Sequence, residues 1–185
     1  MQSRLLASWF GLLVLAVPVF PAGSTADWQT TLLERLPAYG HRNWIVVADS
    51  AYPAQSRDGI ETIVSNADHF QVLQTVLSAL QKSKHVRSIV YTDRELNAIP
   101  EADAPGISVV RSQLSGVLKN MRVTTMTHEK IIAKLDQVSQ TFRVLIIKTN
   151  MTLPYTSVFL QLDCAYWSSD AEKRLRAALA AQSGR

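Results

Sequence analysis

The sequence has few of the residues that build disulfide-linked or metal-bound folds. A single cysteine, Cys164, occurs in 185 residues, and this excludes an internal disulfide. No pair of cysteines or histidines has the spacing of a zinc site. Glycine-rich phosphate loops and serine-nucleophile motifs are missing as well. We therefore expect no bound metal and no cofactor.

Positive charge is too dispersed to indicate a nucleic-acid-binding protein. The formal net charge is +4 and the pI is about 9.4. Lysines and arginines are scattered along the chain and form no cluster. We interpret the excess as solvated surface and expect no nucleic-acid partner.

The one long hydrophobic run lies at the N-terminus. Arg4 precedes apolar residues 5–20, and small residues follow up to Ala22 and Ala26. This order is typical of a secretory signal peptide, here residues 1–26, and the run is shorter than the roughly 20 residues of a membrane-spanning helix. The mature protein is then periplasmic or secreted, with no stable membrane span after cleavage. An uncleaved membrane anchor is the alternative.

Residues 27–185 are predicted to form one α/β domain, because apolar, β-branched runs alternate with helical patterns. Predicted strands are residues 44–49, 86–93, 121–126, 143–150 and 157–163. Predicted helices are residues 27–40, 67–85, 107–120, 128–142 (capped by Thr127) and 169–185, and residues 50–59 are predicted as a loop. The last two strands have a six-residue connection, which indicates a hairpin and a mixed sheet flanked by helices.

Four side chains able to move a proton or hold a hydroxyl lie at the ends of these elements. His41 precedes the first strand and Asp49 ends it, His128 begins a helix, and Tyr155 lies in the turn between the last two strands. Each alone is more often a capping or packing residue. Ligand clefts of α/β sheets form at strand ends, so the group together indicates a site.

The other two histidines are interpreted differently. His69 and His85 fall on, or at the end of, an amphipathic helix, and a surface or capping role explains them.

This set of side chains suits proton transfer without a cofactor. Opening a sugar hemiacetal needs a base for the anomeric hydroxyl and an acid for the ring oxygen. A histidine near its own pKa can do either at neutral pH.

Three segments resemble the RbsD/FucU family of ribose pyranases and fucose mutarotases. They are "GHRNWIVVADSAYPAQS", "TTMTHEKI" and "IIKTNMTLPYTSVFLQLD". They follow in order from about Thr30 to Asp163, which is nearly the whole of the predicted mature chain.

The resemblance implies a layered RbsD-like α/β fold in a ring-like homo-oligomer. It implies cofactor-free interconversion of the anomers, or of the pyranose and furanose forms, of a free monosaccharide. By the same resemblance His41 would be the proton donor. The residues that would hold the sugar are Asp49, His128, Tyr155, Thr156 and Ser157.

Three positions depart from the family pattern: Asn43, Met151 and Ser157 stand where the family commonly has an Asp, an acidic residue and an Asn. These changes favour an alternative, a non-catalytic sugar-binding or interaction protein of the same fold. The placement of His41 is a further question, since a six-residue strand separates its ends by roughly 20 Å. Either the loop before the strand folds over the sheet, or a subunit contact completes the pocket.

The signal peptide is directly testable. We expect N-terminal sequencing of protein from its native host to begin after Ala22 or Ala26. A chain in the soluble cytoplasmic fraction that begins at Met1 would contradict this prediction.

Overall fold

The computed structural model describes residues 27–183. Residues 1–26, where the signal peptide is predicted, lie outside the described part. Within residues 27–183, no helix is both long and apolar enough to cross a bilayer.

In this part of the chain, helices alternate with the strands of a single sheet. The six strands are β1 (Trp44–Ala48), β2 (Ile60–Val64), β3 (Val86–Asp93), β4 (Val123–Met126), β5 (Val144–Lys148) and β6 (Val158–Cys164). The five α-helices are α1 (Trp28–Arg35), α2 (His69–Lys82), α3 (Ile107–Val117), α4 (His128–Val138) and α5 (Ser169–Ser183). Short 3₁₀ helices cover Leu36–Ala38 and Glu95–Asn97. The predicted α/β class is confirmed.

The sheet is mixed, as predicted, but the predicted hairpin is wrong. Its strand order is β2-β5-β1-β6-β3-β4, so β1 lies between β5 and β6. Strand β6 runs antiparallel to both β1 and β3, and the other pairs are parallel. The connection from β5 to β6 therefore crosses the end of β1. A short connection in the sequence usually joins neighbouring strands, which is why a hairpin was predicted. It cannot reveal that a third strand, here β1, lies between the two.

The central strands are buried on both faces. Every residue of β1 is buried, as are the first four of β5. One face packs against α1, α2 and α3, and the other packs against Ile131 and Leu135 of α4. This explains the continuous apolar runs, since a strand covered on both faces needs no polar alternation.

Strand β2 was missed by the sequence reading. It is a half-buried edge strand that pairs only with β5. The chain comes close to β5 at Gly59, just before β2, where the Gly59 carbonyl accepts a hydrogen bond from Val144 N–H at 2.9 Å. A Cβ at this position would collide with the backbone carbonyl of Ser139. The glycine lets two backbone segments meet where a side chain has no room.

We expect Gly59→Ala to lower the free energy of unfolding by about 2 kcal/mol or more, because backbone must move. Gly116→Ala in α3 is the matched control. Its Cβ would meet nothing within 4 Å, so it should be neutral or stabilising by about 0.5–1 kcal/mol. Urea denaturation of both variants measures this, and equal effects would contradict the assigned role of Gly59.

Candidate active site

The candidate site lies at one edge of the sheet, which strand direction defines. The carboxyl ends of the five mutually parallel strands and the amino end of β6 share this edge. Val158 of β6 pairs with Val47 of β1 and with Thr92 of β3. Asp49, Asp93 and Ser157 are therefore brought to the same edge from three neighbouring strands.

Asp49 is held rigidly at this edge. Its Oδ2 accepts a hydrogen bond from Ser157 Oγ at 2.8 Å, and its Oδ1 accepts one from Ala51 N–H at 3.0 Å. Its own N–H donates to Ser157 Oγ at 3.1 Å. Asp49 is 8% exposed, and these bonds leave its carboxylate oxygens little freedom to move.

The two hydroxyl residues assigned to sugar contact are engaged inside the subunit. Ser157 is fully buried, and its only hydroxyl proton goes to Asp49. Thr156 is also fully buried, and its Oγ1 donates to Leu153 O at 2.9 Å. These side chains therefore fix the loop that carries Tyr155.

Asp93 is a site residue that the sequence reading missed. It is completely buried, and its Oδ2 lies 3.1 Å from Nδ1 of His128. Burial raises the pKa of the Asp93 carboxyl above its ordinary value of 3.8, and the neighbouring imidazole partly offsets this. A carboxylate on Nδ1 fixes the imidazole orientation and leaves Nε2 as its reactive nitrogen. Its place as the last residue of a predicted strand was the available signal.

Glu95 fixes the backbone at His128. Both of its carboxylate oxygens lie 3.1 Å from His128 N, at the N-terminus of α4. Thr127, predicted as the cap, occupies the N-cap position but makes no side-chain capping bond. Glu95 replaces it because a carboxylate from a neighbouring segment can satisfy the same unpaired N–H and the helix dipole.

Two tyrosine rings flank His128. The Tyr155 ring centroid lies 5.3 Å from that of His128 at 87°, and the Tyr52 centroid lies 6.2 Å away at 80°. Tyr52 is buried and donates to Gln55 Oε1, whereas Tyr155 is 36% exposed. Tyr155 has a φ of 58°, a left-handed conformation that is uncommon for a bulky residue and that clusters at functional sites. Imidazole and phenol thus form one wall of the edge.

His69 lies just behind this edge, and the surface or capping role expected for it is wrong. It is 1% exposed, and its Nδ1 lies 3.1 Å from Thr149 Oγ1. The cap of α2 is Asp68, which accepts from the N–H groups of Phe70 and Gln71. His85 fits its predicted role better, because its ring contacts the carbonyls of Leu36 and Tyr39 beside the end of α1.

His41 lies at the opposite edge of the sheet. It is exposed in the turn before β1 and lines an open cavity of about 620 Å³ together with Arg87 and Trp167. Asn43 closes this turn by accepting from Gly40 N–H and donating to Arg143 O. The turn does not fold over the sheet, so one subunit brings Asp49, His128 and Tyr155 together without His41.

The arrangement is suited to binding donors and moving protons. Within residues 27–183, no group of three or more His, Cys, Asp or Glu side chains could hold a metal ion. The same part of the chain contains no ion pair from a lysine or arginine to Asp49, Asp93 or Glu95. Carboxylates without a lysine or arginine partner favour hydroxyl donors over anions.

Burial of His69 predicts a pH dependence of stability. Desolvation lowers its pKa from 6.5 to about 4, so the unfolded chain takes up a proton that the native state refuses. The free energy of unfolding is therefore highest above pH 6.5. It falls by about 3 kcal/mol at most as the pH drops towards 4. We expect the stability difference between the parent and His69→Asn to shrink over this range in urea titrations. A difference that is constant with pH would contradict it.

Comparisons with known proteins bear on the family and the fold of the chain. The model of the family described as the RbsD / FucU transport protein family matches residues 28–164. Bacillus subtilis RbsD, solved with D-ribose, has 17% identity and a TM-score of 0.52, over 72% of this chain and 92% of that chain. The fucose mutarotase of Streptococcus pneumoniae, solved with L-fucose, has 20% identity and a TM-score of 0.49, over 77% and 97%. No curated protein matches the sequence. The chain belongs to the RbsD/FucU family.

Proposed function

We propose that the protein is a cofactor-free mutarotase or pyranase acting on a free monosaccharide. The observation that carries the proposal is the convergence of Asp49, the His128–Asp93 pair and Tyr155 at one edge of the sheet. Family membership supports it, as does the D-ribose bound to Bacillus subtilis RbsD.

The chemistry requires two proton transfers and no redox step. A base removes the anomeric hydroxyl proton, and an acid protonates the ring oxygen as its bond to the anomeric carbon breaks. The open-chain aldehyde or ketone rotates, and the reverse transfers close the ring on either face or through another hydroxyl. Proton transfer by positioned side chains contributes about 10²–10⁴-fold in rate.

We assign Asp49 and Tyr155 to holding sugar hydroxyls. The Asp49 carboxylate can accept hydrogen bonds from sugar hydroxyls. The exposed ring of Tyr155 offers an apolar face and a polar hydroxyl. His128 faces the same space with Nδ1 committed to Asp93, so its Nε2 can accept or return a proton. No lysine or arginine of the described residues pairs with Asp49, so this edge favours a neutral sugar over a sugar phosphate.

We assign the remaining proton donor to His41 of a neighbouring subunit. The His41 edge and the Asp49 edge are opposite ends of one sheet, so no single chain can join them. A head-to-tail contact places one edge against the other, and repetition of such a contact closes into a ring. A homo-oligomer of this kind would complete one pocket at each contact. We also propose, from the signal-like N-terminus, that the reaction takes place outside the cytoplasm.

A sugar-binding protein without catalysis is the second candidate. Asn43 is used in closing the turn, and His41 has no hydrogen-bond or ion-pair partner in the described part of the chain. An imidazole without a fixed orientation is a weaker acid-base catalyst. Binding by Asp49 and Tyr155 would not need it.

The test is NMR exchange spectroscopy of the anomeric protons of a panel of pentoses and hexoses, with the mature protein. We expect faster exchange for at least one sugar. His41→Ala should lose most of this enhancement with a small change in affinity, because the imidazole acts mainly in the transition state. Asp49→Asn should weaken binding and rate together.

Subunit complementation tests where His41 acts. His41→Ala and Asp49→Asn are each expected to be nearly inactive, but their co-expression restores an intact pocket at roughly a quarter of the contacts. His41→Ala co-expressed with a second copy of itself is the control and should stay inactive. Recovery no greater than this control would rule out a shared pocket. A parent that binds a sugar without speeding its exchange would favour the second candidate.

A further inference from the structure

His69 begins α2 and inserts its ring behind the candidate site. Asp68 caps the helix through Phe70 N–H at 2.9 Å and Gln71 N–H at 3.0 Å, which fixes where the first turn begins. The Phe70 ring packs edge-on against the imidazole, with centroids 5.6 Å apart. The side chain of His69 is therefore immobilised in the core.

A relay of hydrogen bonds joins His69 to the end of β1. Thr149 Oγ1 donates to Ala48 O at 2.9 Å, and this uses its only proton. Toward His69 the hydroxyl can then only accept, so Nδ1 carries the hydrogen at 3.1 Å. The same oxygen lies 3.4 Å from Met151 N, and Met151 O accepts from Ser50 N–H at 2.8 Å. The relay thus fixes the backbone on both sides of Asp49.

The imidazole of His69 is neutral, and only one of its two nitrogens makes a hydrogen bond. Nε2 of His69 is buried and has no hydrogen-bond partner. The backbone of Thr156 is close enough to favour a proton on the ring, as are the charges of Asp49 and Asp68. Desolvation outweighs all three and lowers the pKa to about 4, so the ring is neutral at physiological pH.

We propose that His69 is a positioning residue of the sugar pocket, whose neutral Nδ1–H imidazole holds Thr149 and through it the backbone on both sides of Asp49. The role in sugar binding rests on the proposed function. The hydrogen-bonded link from His69 to the backbone beside Asp49 does not depend on that function. A buried nitrogen without a partner is costly, and a better satisfied residue would be expected if packing alone mattered.

Two variants separate the nitrogens of the ring. In His69→Asn the amide nitrogen can take the place of Nδ1 and keep the bond to Thr149. In His69→Gln the amide lies nearer the place of Nε2, and the Thr149 bond is lost. We expect His69→Asn to keep the Kd for D-ribose, or for the sugar preferred in the panel, within about threefold, whereas His69→Gln weakens binding about tenfold, the value of one hydrogen bond.

The matched control is His85→Gln at the opposite edge. His85 is half-buried and bonded to Ser83 Oγ and two carbonyls, so its loss also costs stability. We expect it to lower the melting temperature without changing sugar affinity. Equal affinities for His69→Asn and His69→Gln would overturn the inference.

A measurement without sugar separates this inference from the proposed function. Amide hydrogen exchange at Asp49 and Ala51 should be faster in His69→Gln than in His69→Asn, with His85→Gln like the parent. If the parent binds no sugar and this difference is present, the coupling stands and the proposed function fails. If sugars bind and exchange while the difference is missing, the coupling fails alone.

Two further measurements keep the inference falsifiable if the His69 variants do not fold. Nitrogen-15 NMR of the parent should show the neutral Nδ1–H form near pH 7, and an Nε2–H form would overturn the relay. Thr149→Val removes the hydroxyl at constant shape and should reproduce the loss of sugar affinity. Thr149→Ser keeps the hydroxyl and should bind the sugar as tightly as the parent.

Discussion

The antiparallel placement of β6 between β1 and β3 is the constraint on which the site depends. Because β6 runs opposite to both neighbours, its first residues meet the last residues of theirs. Ser157 can therefore exchange two hydrogen bonds with Asp49 across the sheet edge. The loop before β6 then carries Tyr155 back over His128. A hairpin from β5 to β6 would have left Asp49 without this partner.

Much of the architecture followed from sequence, because buried strands and amphipathic helices leave strong patterns. The apolar run before Asp49 and the segment ending at Asp93 were both predicted as strands, and both are present. The pattern failed at β2, whose half-buried residues resemble a connecting segment. It also failed to order β5, β1 and β6, since pairing partners are set by packing in three dimensions and not by distance along the chain.

The candidate site was only partly predictable for a related reason. Asp49, His128 and Tyr155 were found because they lie at element ends, and the structure brings these three together. His69 was misread because helical periodicity assigns faces but cannot show that a first turn is inserted beneath a sheet edge. A buried residue that contacts a site from the core side carries no sequence motif, so only its contacts in the structure reveal it.

Burial controls the chemistry available at this edge. Asp93 and His69 are both buried ionisable groups, and burial moves their pKa values in opposite directions, up for the acid and down for the base. Both shifts favour neutral forms and reduce the cost of desolvation. The His128 imidazole, which is still partly exposed at the edge, opposes the effect of burial on the pKa of Asp93 and favours its ionised form. Among the histidines of the described residues, His128 alone has both a carboxylate partner and a partly exposed ring at this edge. Its ring is therefore well placed for the proton transfer proposed here.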